Sequence, residues 1–184
     1  PPAPYDLEFR QQPDDGEIAY VDAQLGRFFA FLKERQDWDN TIIVVTADHG
    51  EGMGEHGELT HAILLHQATL HIPLILRGPT VPHGETTAWT NATQVFATLL
   101  ELLGVPVPAL TPAPSASVVP LLVNQGVPPP NWPEFTAYFE TIAPRTTQGW
   151  SQLVGWMQGD WRLVHGPRSE LYDLRADPQE TQNR

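Results

Sequence analysis

A continuous β-branched run, Thr41-Ile42-Ile43-Val44-Val45-Thr46, ends abruptly in Ala47-Asp48-His49-Gly50, and this feature most narrows what the chain can fold into. A run with no polar alternation suits a strand covered on both faces, as in a parallel sheet flanked by helices. A second run, Ile72-Pro73-Leu74-Ile75-Leu76, closes at Arg77-Gly78-Pro79. Ahead of the first run, Ile18, Val21, Leu25, Phe28, Phe29 and Leu32 recur at three- and four-residue steps. That spacing predicts an amphipathic helix from Gly16 to Arg35, with Asp14 or Asp15 as its cap. Helix, buried strand, polar loop and buried strand together predict an α/β domain. Another helix is expected between Asn91 and Leu103, capped by Asn91 or Thr90 and stopped by Gly104.

The character changes after a proline-dense stretch at 105–133, read as an ordered connection. Phe135–Phe139 reads as a strand, and Leu153–Met157 and Trp161–Val164 flank Gly159-Asp160 in the manner of a hairpin. The expected division is an α/β portion at 1–130 and a small antiparallel β subdomain at 131–184. Trp150, Trp156 and Trp161 are expected to pack within it, with lining of a substrate cleft as the alternative, and Tyr172 and Leu174 are expected to pack there too.

Charge narrows the partners. With 22 acidic against 10 basic residues and a net charge of -12, the chain lacks the Lys/Arg patches that grip nucleic acid or anionic membranes. No apolar run approaches the ~18 residues of a membrane span. The absence of cysteine excludes disulfides and thiolate-bound zinc. It leaves the compartment open, and the N-terminus shows no basic-then-apolar signal pattern.

The chemistry concentrates between Thr46 and His71, where five of the seven histidines fall, at 49, 56, 61, 66 and 71. In open α/β sheets, ligands collect at the carboxyl ends of strands. Asp48 and His49 stand there, a hard oxygen beside an imidazole nitrogen, suited to holding a divalent ion. The glycines at 50, 52, 54 and 57 suit a tight loop with close backbone approach. Without that strand before it, the same pair would equally suit a capped turn with solvated histidines.

From Thr41 to Gly78 the chain resembles the metal-site segment of the sulfatases, within the alkaline-phosphatase superfamily. The shared pattern is a strand, Asp48-His49-Gly50-Glu51, Gly54-Glu55-His56-Gly57, Thr60-His61 and an Ile-Pro-Leu strand. The likeness continues in Asp39-Asn40-Thr41 and in Thr98-Leu99-Leu100-Glu101-Leu102-Leu103-Gly104. It also covers Trp161-Arg162-Leu163-Val164, Glu170-Leu171-Tyr172-Asp173-Leu174, Asp177-Pro178, Glu180 and Asn183. The resemblance implies the C-terminal portion of an alkaline-phosphatase-like sheet domain followed by the small antiparallel subdomain. It implies Asp48 and His49 as cation ligands, with calcium usual in sulfatases and manganese or zinc in related phosphonate and phosphate hydrolases. His61 matches a position that meets the sulfate, either neutralising its oxygens or assisting the leaving group. Glu51 and His56 are expected to shape the loop behind the ligands. His66 and His71 are expected to be structural. Gln94 and Ala97 depart from the Asp and Pro commonly seen in that helix.

The family's nucleophile is a formylglycine made within a Cys/Ser-x-Pro-x-Arg motif. These residues contain no such motif, so the nucleophile is expected upstream, in a missing N-terminal part of the same protein. The expected substrate is a small-molecule or glycan sulfate ester. The alternatives are a phosphonate or phosphodiester hydrolase of the same superfamily, or a catalytically incomplete scaffold fragment.

Overall fold

The computed structural model describes residues 1–108 and 115–184, so part of the proline-dense stretch lies outside the described residues. The chain forms two compact units. One comprises Pro1–Ile43 with Arg77–Pro79, and the other Val44–Leu76 with Thr80–Arg184.

In the first unit a short helix α1, Tyr5–Glu8, precedes the long helix α2, Pro13–Glu34. Pro13 opens α2, where its missing N–H costs nothing and its fixed φ already suits a helix. The capping expectation is corrected here. Gln12 is the N-cap and makes no side-chain cap, while Asp14 and Asp15 lie inside the first turn. There their charge still favours the helix dipole. The expected buried stripe is also only partly buried. Leu32 is buried, but Ile18, Val21 and Phe28 are at least half exposed. What the unit offers the helix is small: Tyr5 edge-on to Tyr20, and Trp38 edge-on to Phe29. Arg77 closes the unit, stacking 4.0 Å over Trp38 and pairing with Asp39 at 3.0 Å.

In the second unit, strands β1, Ile43–Thr46, and β2, Leu74–Arg77, pair as a two-stranded sheet. The expectation of burial on both faces is corrected. β1 is half-buried and exposed at Thr46, and Ile75 of β2 is 59% exposed. Two strands leave two bare edges and too little area for layers on both faces. A short helix α3, Gln67–Leu70, lies between them in the chain, and helix α4, Gln94–Leu102, begins with a reciprocal cap. Asn91 Oδ1 accepts from the Thr93 amide at 3.1 Å, and Gln94 Oε1 accepts from the Asn91 amide at 3.0 Å. Gly104, at φ +68°, ends it through the Val105 amide to the Leu100 carbonyl. Gln94 thus does the capping work, and its Nε2 also donates to Ala116 O at 3.0 Å. Helix α5, Val119–Val123, follows.

The C-terminal sheet runs β3 (Thr136–Thr141), β4 (Leu153–Gln158), β5 (Trp161–His165) and β6 (Glu170–Asp173), in that spatial order and antiparallel throughout. Helix α6, Ala143–Gln148, joins β3 to β4. Gln158 faces Trp161 across the two-residue turn Gly159-Asp160, so the hairpin has the expected register. Met157, Tyr172 and Leu174 form the buried core, with Trp89, Phe135, Ala137 and Phe139 against it. Trp89 Nε1 donates to Asp160 at 2.9 Å. The three expected packing tryptophans are corrected. Trp150, Trp156 and Trp161 are 61%, 46% and 49% exposed. Strand alternation sends Trp161 and Leu163 outward and Arg162 and Val164 inward.

Candidate active site

Asp48 and His49 leave the end of β1 together. His49 Nδ1 lies 2.8 Å from the Gly50 carbonyl, which can only accept, so Nδ1 carries the proton. Neutral His49 therefore presents the lone pair of Nε2, 3.6 Å from Asp48 Oδ2, on a carboxylate that is 89% exposed. Two acceptors facing each other at that range repel unless a cation or a proton lies between them. The arrangement of ring tautomer fixed by a carbonyl behind and lone pairs converging in front fits a divalent ion.

His61 lies flat against His49, with ring centroids 3.9 Å apart and planes 29° from parallel. Its Nδ1 donates to Glu51 Oε2 at 2.9 Å, which leaves Nε2 free. Four residues separated by up to thirteen positions thus form one exposed patch: Asp48, His49, Glu51 and His61. His56 lies elsewhere, stacked on His66 with its Nε2 donating to the Gln179 carbonyl at 3.1 Å.

The Gly-rich loop achieves this by folding its two legs together. Gly50 N donates to Thr69 O at 2.9 Å, Gly52 N to Thr60 O at 2.7 Å, and Gly54 N to Glu58 O at 2.8 Å. A Cβ at Gly50 would lie 2.2 Å from the Ala68 carbonyl, and one at Gly52 2.8 Å from the Thr60 carbonyl. The close approach that demands glycine is therefore between loop segments. Glu58, buried at the turn, accepts from the Ile63 and Leu64 amides at 2.8 and 3.0 Å.

A buried ionic group that sequence reasoning did not single out lies behind the loop. Arg162 is wholly buried and pairs with Glu180, itself 3% exposed. His66 Nδ1 lies 3.3 Å from both Glu180 Oε2 and Arg162 Nη2. Burial pushes the Arg162 guanidinium down to about 10, against the pull of Tyr172 and Glu170, so it stays cationic at neutral pH. Tyr172 is pushed up to about 12, first by burial and then by its hydrogen bond to Glu170. His71, edge-on to Trp89, has no part in either cluster. The local pattern gave no signal for Arg162, because alternation places it with Val164 opposite the more apolar pair Trp161 and Leu163.

Comparison with known proteins agrees with this architecture. The chain is 32% identical over 172 residues to an N-acetylglucosamine-6-O-sulfatase of Bacteroides thetaiotaomicron, covering 90% of this chain and 30% of that protein. A structure solved with its substrate D-glucosamine-2-N,6-O-disulfate superposes with a TM-score of 0.80 at 30% identity, covering 91% of this chain and 34% of the other. The phosphonate monoester hydrolase of Agrobacterium radiobacter gives 0.71 at 32% identity, over 91% and 35%. The fold is thus the α/β arrangement of the alkaline-phosphatase-like hydrolases, with a small antiparallel sheet. A family model described as Sulfatase matches residues 12–105, more than half of the chain, and the chain belongs to that family. It spans about a third of the length of the relatives it matches.

Proposed function

We propose that these residues are part of a metal-dependent sulfatase that hydrolyses sulfate esters, with Asp48 and His49 holding the cation and His61 meeting the substrate. Residues 1–130 would belong to its α/β catalytic domain and 131–184 to the antiparallel subdomain. The observation that carries the reading is the pair of lone pairs, Asp48 Oδ2 and His49 Nε2, facing each other 3.6 Å apart beyond β1. Membership of the Sulfatase family supports reading that pair as cation ligands. A bound divalent ion, calcium by family habit, would supply positive charge against the sulfate oxygens. Sulfate transfer breaks the S–O bond to the leaving alcohol, whose oxygen needs a proton. With its Nδ1–H held by Glu51, His61 in its doubly protonated form would also carry an Nε2–H, free either to donate to a sulfate oxygen or to give its proton to the leaving oxygen. Glu51 fixes the ring's orientation and tautomer. The attacking nucleophile, a formylglycine in this reading, lies in a part of the protein beyond these residues.

The phosphonate monoester hydrolase is as similar in sequence as the structure solved with the disulfated glucosamine, and it supports a second reading. Steady-state assays of the full-length protein decide between them. The sulfatase reading predicts a higher kcat/KM on an O-sulfated amino sugar or aryl sulfate than on an aryl phosphonate monoester. The opposite order would favour the phosphonate reading. In the same assays, His61→Ala should lower kcat on the sulfate ester by about a hundredfold, the typical worth of a positioned acid. A change under threefold would remove His61 from the chemistry.

A further inference from the structure

The second histidine pair has no part in the chemistry above. His56 and His66 stack with ring centroids 3.7 Å apart and planes 9° from parallel. His56 stands at the loop tip in the left-handed region, at φ +54°. Behind His66, Glu180 pairs with Arg162 and accepts from the Gln67 amide at 2.8 Å. Arg162 Nε and Nη1 have no hydrogen-bond partner among the described residues.

His56, His66 and Glu180 bring ligand atoms within 4.8 Å of one another, close enough for a metal ion. Two features oppose one. Imidazole lone pairs lie in the ring plane, so two parallel stacked rings hold them in separate, nearly parallel planes rather than aiming them at one point. Arg162 already supplies the positive charge that Glu180 needs. The cluster is better suited to holding protein against protein. It joins the tip of the loop to Gln179 and Glu180, more than 110 residues further along the chain.

We propose that His56, His66, Arg162 and Glu180 are positioning residues that clamp the tip of loop 50–61 to the turn after β6, keeping Glu51 and His61 in place beside Asp48 and His49. The proposal rests on the sulfatase reading for its effect on rate, but not for the clamp itself. The loop's legs are joined by Gly52 to Thr60 and Gly54 to Glu58, so restraint at the tip reaches Glu51 on one leg and His61 beyond the other.

The groups facing the stack are Arg162 from β5, Glu170 and Tyr172 from β6, Glu58 from the loop, and Glu180, with Glu55 and Arg168 at the rim of the adjoining cavity. Burial foremost holds both rings below the ordinary histidine value of 6.5, helped at His56 by His66 and then Arg162 and at His66 by Arg162, despite the carboxylates. A released tip would regain ordinary proton affinity. The clamp is therefore intact above about pH 6.5 and weakens as the pH falls below it, because the released form takes up protons first.

Hydrogen exchange and steady-state sulfate release in the full-length protein test this. In His56→Ala, exchange at Gly52 and Gly54 should quicken about tenfold. kcat should fall about tenfold with KM within twofold, since small misplacement of a catalytic group is costly. His56→Phe keeps a ring over His66 but cannot be protonated. It should restore loop protection and move the acid limb of the kcat profile to lower pH. Unchanged loop exchange in His56→Ala, faster exchange spread across β3–β6, or an unmoved acid limb in His56→Phe would overturn the clamp. A wild-type protein that releases no sulfate while His56→Ala still quickens the loop would support the clamp and overturn the sulfatase reading.

Discussion

Asp48→Ala in the full-length protein is expected to lose its divalent ion on dialysis and to retain less than about a thousandth of wild-type kcat. Asp48 supplies the only carboxylate oxygen facing His49 Nε2 among the described contacts. A cation opposite a transferring sulfuryl group contributes several kcal/mol of charge stabilisation, and about 4 kcal/mol corresponds to about a thousandfold in rate. Because the carboxylate is 89% exposed and makes no long-range bond among the described residues, the substitution should leave the thermal midpoint of the metal-free protein within about a degree of wild type. Elemental analysis, kinetics and calorimetry check the three parts. Normal metal content and turnover would remove Asp48 from the site.

The largest stability effect is expected at Arg162. Removing one partner of a buried ion pair strands the other, at about 3–5 kcal/mol. Arg162→Ala leaves Glu180, 3% exposed, with only the Gln67 amide and His66 to satisfy it. It also opens a cavity beneath Tyr172, over which the guanidinium lies at 5.8 Å. Denaturant unfolding should show a loss of at least about 3 kcal/mol. The double variant Arg162→Met with Glu180→Leu should recover part of it, since neither charge is then stranded. It cannot recover all, because the Gln67 amide loses its acceptor. A single-variant loss below about 1 kcal/mol would mean that the pair is solvated.

How legible these features were depends on the range of the interactions behind them. The β4–β5 hairpin was readable because Gly159-Asp160 and the flanking apolar runs are contiguous. The start of α4 was readable because its reciprocal cap spans only Asn91 to Gln94. Asp48 and His49 stood out because they are neighbours at the end of an apolar run. Pairing of Glu51 with His61 needs the loop to fold on itself, and ten residues of glycine-rich sequence do not state how. The Arg162–Glu180–His66 group was beyond reach, since its members lie 96 and 114 residues apart along the chain.

Period-two patterning explains the tryptophan error. Along Trp161-Arg162-Leu163-Val164 alternation defines two faces, and the apolar count favours Trp161 and Leu163 as the inner one. The structure inverts this, with Arg162 and Val164 inside, because Glu180 compensates the arginine from a segment far along the chain. The helix α2 stripe fails differently. Its spacing is helical, but Tyr5, Trp38 and their neighbours cover only part of it.

Crystals of the full-length protein grown with Mn²⁺ would test the metal assignment most directly, through an anomalous-difference map. The account predicts a peak about 2.0–2.4 Å from both an Asp48 carboxylate oxygen and His49 Nε2. A peak between His56, His66 and Glu180 instead, or none within reach of Asp48, would contradict it.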